Sequence, residues 1–223
     1  SMGQVTSLEW APDGSHLIFA GGVEGTVWTQ AASGGEPAQD LYQQDALLPQ
    51  ATLSPDGRAL LATTLSGENR SLDIIRVDLD SAAVAQDFLD TPADELAPAF
   101  SPDGKWVALE SSESGRREGY VRSFPDPSMK MQVSTDGGTD PSWSKDGRRL
   151  FYVAGSELMA ASVSLEPSFR LLGRDTLLAG APRSLLWSGG SWTRPYDMSE
   201  DGRRILAVVP GPDDFQIVVS PNW

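Results

Sequence analysis

Trp10-Ala-Pro-Asp-Gly-Ser-His-Leu-Ile-Phe-Ala20 decides the fold, because the same stretch returns four more times. The copies are Leu53-Ser-Pro-Asp-Gly-Arg-Ala-Leu-Leu-Ala-Thr63, Phe100-Ser-Pro-Asp-Gly-Lys-Trp-Val-Ala-Leu-Glu110, Trp143-Ser-Lys-Asp-Gly-Arg-Arg-Leu-Phe-Tyr-Val153 and Met198-Ser-Glu-Asp-Gly-Arg-Arg-Ile-Leu-Ala-Val208. Their aspartates, Asp13, Asp56, Asp103, Asp146 and Asp201, are separated by 43, 47, 43 and 55 residues. Periods of this size mark stacked supersecondary units rather than an ordinary globular chain.

Each copy reads as a tight hairpin. A large apolar residue (Trp10, Leu53, Phe100, Trp143, Met198) closes one strand, and Pro12, Pro55 and Pro102 pre-set φ for the turn. The aspartates support the turn with their own side chains, and Gly14, Gly57, Gly104, Gly147 and Gly202 take the positive φ of a type I turn with a bulge. The runs that follow, from His16, Ala59, Trp106, Arg149 and Arg204, are apolar without strict alternation, as in strands buried on both faces. Third strands are predicted from Thr26, Leu72, Tyr120, Leu158 and Gln216. Weaker fourth strands are predicted at Ala38 to Tyr42, Ala85 to Leu89, Met129 to Val133 and Arg174 to Leu178, with none in the fifth unit.

Four-stranded antiparallel sheets repeated at this period stack radially around an axis. The predicted fold is therefore all-β: one β-propeller domain over residues 1–223, with repeats at about 4–45, 46–92, 93–135, 136–190 and 191–223. A β-sandwich would alternate along its strands and need not repeat. Ring closure stays open between three arrangements. The segment before Trp10 supplies the missing outer strand, the ring closes imperfectly, or the five units belong to a larger, six-bladed or oligomer-completed ring.

Composition narrows the function. The formal charge is −14, from 17 basic and 31 acidic residues, with no basic run, which argues against a nucleic-acid partner or an anionic membrane surface. Cysteine is absent, so disulfides, thiolate metal sites and a cysteine nucleophile are excluded. No stretch approaches 18 consecutive apolar residues. Ser1-Met2-Gly3 reads as a cloning remnant, compatible with a leader, an anchor or further domains ahead of it.

The repeated Ser-Pro-Asp-Gly turn followed by an apolar run resembles the WD-like repeat of the TolB family, over nearly all of the chain. Tyr120-Val-Arg-Ser-Phe-Pro125, Gln132-Val-Ser-Thr-Asp-Gly-Gly-Thr-Asp-Pro-Ser-Trp143, Arg194-Pro-Tyr-Asp-Met198 and Ile217-Val-Val-Ser-Pro-Asn-Trp223 resemble the C-terminal propeller of bacterial serine/threonine protein kinases. That resemblance implies a sensory or docking domain on the extracytoplasmic side of a membrane. Lys145 and Glu200 stand where the pattern has proline, and five turns stand where the TolB family has six blades.

No catalytic constellation is legible. Kinase motifs, a Gly-x-Ser-x-Gly elbow and room for a hydrolase domain are missing, and the single histidine, His16, has no triad or zinc partners. Four residues before each turn aspartate stand Glu9, Thr52, Ala99, Ser142 and Asp197. Glu9 and Asp197 become neighbours if the ring closes, as an acid pair or a weak candidate cation site; no cofactor is expected. Binding is predicted instead on the face opposite the turns, at Asp94, Arg116, Arg117, Asp140, Trp187, Trp192 and Arg194, with Trp187-Ser-Gly-Gly-Ser-Trp192 as the largest apolar contact. The expected occupant is a protein, a peptide or a small ligand. The alternative is a carbohydrate-active or cation-dependent propeller enzyme using the axial carboxylates.

Overall fold

A computed structural model describes residues 5–21, 25–66, 71–81, 84–179, 194, 196–199, 204–210 and 215–221. The apolar runs and Asp-Gly turns build five antiparallel sheets in chain order. The first contains β1 (Val5–Trp10), β2 (His16–Gly21), β3 (Thr26–Ala31) and β4 (Gln39–Gln43). The second contains β5 (Gln50–Leu53), β6 (Ala59–Ser66), β7 (Ser71–Asp78) and β8 (Ala85–Leu89). The third contains β9 (Glu95–Phe100), β10 (Trp106–Ser111), β11 (Glu118–Ser123) and β12 (Lys130–Gln132). The fourth contains β13 (Thr139–Trp143), β14 (Arg149–Ala154), β15 (Glu157–Ser164) and β16 (Arg170–Leu178). The fifth has three strands, β17 (Tyr196–Met198), β18 (Arg204–Pro210) and β19 (Phe215–Pro221). This is a β-propeller, and every first strand ends at the apolar residue that the repeat singled out.

The turns are built as their residue types require. Gly14, Gly57, Gly104 and Gly147 sit at φ between 69° and 71°, a region costly for residues with a Cβ. In the second and third blades Asp56 and Asp103 each accept the backbone N–H two residues on. Ser54 and Ser101 donate their hydroxyls to those same carboxylates and accept the N–H of Ala59 and Trp106, the first residues of the next strands. Ser144 repeats the arrangement with Asp146 and Arg149. Asp201 and Gly202 lie outside the described residues.

Burial follows strand position. All six residues of β10 are buried, whereas all three of the outer strand β12 are exposed. Successive blades are joined by apolar clusters: Ile18 and Val27 with Leu60 and Val77, Leu61 and Ile74 with Val107 and Leu109, Trp106 and Val121 with Leu150 and Val163, and Phe151 and Leu158 with Tyr196 and Ile205. Each such Leu, Ile, Val or Phe removed from water contributes about 1.5–3 kcal/mol.

Most strands fall within one or two residues of their predicted bounds, and β16 departs most. β16 begins at Arg170 rather than Arg174, because its partner β15 is eight residues long and a register shift at Ser162/Val163 lets pairing run on to Ser164 opposite Arg170. The fifth sheet has three strands among the described residues.

Candidate functional site

Where the five first strands converge, their starting residues surround an axial cavity of about 210 Å³ lined by Ser7, Leu8, Glu9, Gln50, Ala51, Ala97, Pro98, Asp140, Pro141, Arg194, Tyr196 and Asp197. On the turn side Glu9 and Arg194 also border a wider basin with Thr52, Ala99, Ser142 and the turn residues Pro12, Pro55 and Pro102. The smaller mouth thus lies on the face opposite the Asp-Gly turns.

Two of the lining residues are held in an uncommon conformation. Ala97 and Asp140, both six residues before a turn aspartate, have φ of 52° and 54°. Each sits at a register shift in its first strand, a bulge that re-aims the backbone toward the axis. The freed N–H groups are caught by side chains: Ala97 N donates to Gln50 Oε1 at 2.9 Å, and Asp140 N donates to Glu110 Oε1 at 2.7 Å. Asp140 O accepts from Tyr196 Oη at 2.7 Å, tying the fourth blade to the fifth.

Charge at the mouth is mostly negative. Glu9 accepts the Leu53 N–H at 3.1 Å, and loss of solvent pushes its carboxyl up to about 7, against the pull of Thr52 and Arg194. Desolvation likewise raises Glu110 and Asp140, each a carboxyl beside the other; Arg117, whose Nη1 is 3.8 Å from Glu110 Oε2, opposes the rise. Burial also drives the Tyr196 hydroxyl above its ordinary range, so it stays a neutral donor. Arg194 is the one cation among the described residues that line the cavity. Its Nε donates to Tyr196 O at 3.1 Å, its Nη2 is 3.9 Å from Asp197 Oδ1, and its guanidinium lies 5.8 Å from the centre of the Tyr196 ring.

Among the residues singled out by sequence, Asp140, Arg194, Glu9 and Asp197 meet in this cavity. Arg117 stands behind it, against Glu110. Arg116 is committed elsewhere, bonding the buried Glu118 at 2.6 Å and Asp136 at 3.3 Å. Asp94 accepts the Leu72 N–H at 3.1 Å and fixes the second blade to the third. Trp187 and Trp192 lie outside the described residues. His16 is exposed, its Nδ1 2.7 Å from Ser15 Oγ. Among the described residues, no group of three or more His, Cys, Asp or Glu side chains is placed to hold a metal ion.

Sequence reasoning missed Glu110, Gln50 and Tyr196. Glu110 left a signal: it is charged where the other repeats carry Ala20, Thr63, Val153 and Val208. Gln50 left none, because its role comes from a backbone bulge in the neighbouring blade.

No protein-family model matches the chain. Among solved structures it is similar to TolB from Acinetobacter baumannii, with a TM-score of 0.72 and 17% identity over 98% of this chain and 52% of that one. It is also similar to the β-propeller domain of Myceliophteria thermophila Cps50 (Swd1), with a TM-score of 0.67 and 14% identity over 96% of this chain and 68% of that one. Kuenenia stuttgartiensis hydrazine synthase gives a TM-score of 0.63 at 13% identity, over 96% of this chain and 70% of that one. These likenesses establish the propeller fold. Among curated proteins, an uncharacterized peptidase, YuxL, of Bacillus subtilis (strain 168) is 26% identical over 144 aligned positions, covering 48% of this chain and 22% of that protein. The chain thus spans about a fifth of that relative and about half of the TolB chain.

Proposed function

We propose that residues 1–223 form a non-catalytic binding propeller, the sensory or docking domain of a larger bacterial signalling protein of the serine/threonine kinase kind, working on the extracytoplasmic side of a membrane. The observation that carries the binding role is Arg194, a cation whose one hydrogen bond among the described residues is from Nε to Tyr196 O, set with Glu9, Asp140 and Asp197 at a preformed axial mouth. Arginine can hold a carbonyl or carboxylate through a rigid fork of donors. The cavity admits a side chain or a short extended segment rather than a folded domain. A loop or terminus of a protein partner fits that description. No helix among the described residues is long and apolar enough to cross a membrane, so in this reading an anchor belongs to another part of the parent protein.

The test is selection from a random-peptide display library on immobilised wild-type protein, followed by rebinding to Arg194→Ala. Selected peptides should lose about tenfold in affinity, or about 1.4 kcal/mol, while the melting temperature stays put. Peptides that bind the variant equally well would remove the axial mouth as the site. The kinase context is tested by the reading frame of the gene, which should encode a kinase domain and a membrane span ahead of the propeller.

One observation favours a second reading. Glu9, held protonated toward neutrality and facing Asp197 and Asp140, has the character of a general acid in a glycoside hydrolase. Hydrolysis of any member of an aryl glycoside panel, abolished by Glu9→Gln, would establish it. Peptide anilides added to the panel cover the activity in the name of the Bacillus subtilis relative.

A further inference from the structure

The seam between blades one and two is open at the turn face, where the next seam is filled. A crevice of about 270 Å³ runs there, lined by Thr29, Leu41, Leu53 and Leu79 together with the exposed Asp13 and Asp56. Each of the first four has a counterpart, fixed by register, in the seam between blades two and three. Leu53 and Phe100 both stand three residues before a turn aspartate. Leu79 N donates to Arg58 O and Phe124 N to Lys105 O, each at 2.8 Å, and Arg58 and Lys105 both follow a turn aspartate by two residues. Thr29 pairs with Ile18 and Arg76 with Leu61, the fifth residues after those aspartates. Leu41 and Phe88 are the extra residues at the same register shift in β4 and β8.

In the second seam these counterparts build one packed unit. Phe124 lies edge-on to Phe100 at 4.9 Å and tilted against Phe88 at 5.9 Å, with the Arg76 guanidinium 5.1 Å from its ring centre. Blades three and four likewise seat Phe169 against Trp106 and Trp143, at 5.7 and 6.3 Å. Three leucines and a threonine do not fill the volume of three phenylalanines and an arginine, and what they leave is the crevice. The turns show the same widening. A Cβ on Gly104 would stand 3.4 Å from Pro55 Cδ and one on Gly147 3.7 Å from Pro102 Cδ, whereas one on Gly57 meets nothing within 4 Å among the described residues. The blade-two turn thus stands clear of blade one, where the next two turns lean on their predecessors.

We propose that this crevice binds a small arylalkylamine, its ring taking the seat that Phe124 fills in the next seam and its ammonium lying against Asp13 and Asp56. A ring and a cation are what this seam lacks beside the next one, and such a guest brings both. The leucine walls form a concave apolar slot with a few polar groups at its edge, the usual character of a small-molecule site. The two carboxylates stay charged, because serine hydroxyls and backbone N–H groups hold both below the ordinary 3.8. The Arg58 guanidinium of the same turn is directed to Asp80, 3.4 Å away. The slot opens on the turn face, so it is separate from the axial mouth.

Saturation-transfer NMR on the whole chain tests this with three probes: phenethylamine, phenylacetate with the ring but the opposite charge, and butylamine with the cation but no ring. Phenethylamine should receive saturation most strongly at its ring protons, bind about tenfold tighter than either control and weaken with salt. Leu79→Phe and Leu41→Phe each restore a ring that the next seam carries. Both should abolish the transfer while melting no lower than the wild type. Asp13→Asn combined with Asp56→Asn keeps residues that form turns and should weaken binding several-fold. No transfer to phenethylamine, equal binding of either control, or unchanged binding by the phenylalanine variants would overturn the proposal. So would unfolding of both phenylalanine variants, since the two seams would then not be counterparts.

Discussion

Glu110 is buried at 2% exposure inside the apolar strand β10, and it stays there because it catches the N–H that the Asp140 bulge sets free. Its carboxyl, with those of Asp140 and Glu9, is raised by loss of solvent, so the folded chain holds protons that the unfolded chain would release above the ordinary values of 4.5 for the glutamates and 3.8 for the aspartate. The folded pKa values are raised, so the stability they contribute is full in mild acid and is lost as pH rises through the neutral range. Glu110→Gln keeps an acceptor for Asp140 N and removes the titration. A pH series of melting temperatures should therefore fall less steeply for the variant than for the wild type between the ordinary value of 4.5 and the raised value of about 8; parallel curves across that window would contradict this account. The turn aspartates Asp13, Asp56 and Asp146 have the opposite sign, held below 3.8 by serine hydroxyls and backbone N–H groups, and their contribution is lost only as pH falls through the strongly acid range.

The blade is the element that the sequence specifies best, for a physical reason. A hairpin turn is local, so Asp-Gly flanked by apolar runs carries its own instructions, and the second strands begin at His16, Ala59, Trp106, Arg149 and Arg204 as predicted. Outer strands pair on one side only and carry less pattern, which is why β16 runs four residues farther back than its apolar signal. The bulges at Ala97 and Asp140 were illegible because they depend on acceptors from other strands, Gln50 and Glu110. The serine two before the aspartate belongs to the repeat, yet its double role emerges only in the structure. Ser101→Ala leaves the buried Trp106 N–H without its acceptor and should cost about 1–3 kcal/mol in denaturant unfolding, whereas Ser144→Ala, at an exposed turn, should cost less. Equal costs would show that the hydroxyl does not act through burial. Gly25→Ala should be more damaging still, since a Cβ there would lie 1.6 Å from Ala46 O at a φ of 55°.

At the scale of the whole molecule, the repeat that specifies the fold is set apart from the function proposed for it. The Asp-Gly turns occupy one face, and the cavity that gathers Glu9, Asp140, Arg194 and Asp197 opens on the other. That convergence was half legible: Glu9 and Asp197 share a register in the repeat, while Arg194 and Asp140 stood out only as polar loop residues. The ring's order explains why, because blades far apart in sequence meet at the axis. Site-directed photo-cross-linking tests the central claim most directly, with a photo-reactive phenylalanine at Ser7 on the axial mouth or at Arg58 on the turn face. A peptide selected on the wild type should cross-link through position 7 and not through position 58, and Arg194→Ala should suppress the product. Cross-linking through position 58, or through position 7 with no effect of Arg194→Ala, would contradict a binding propeller that works through its axial mouth.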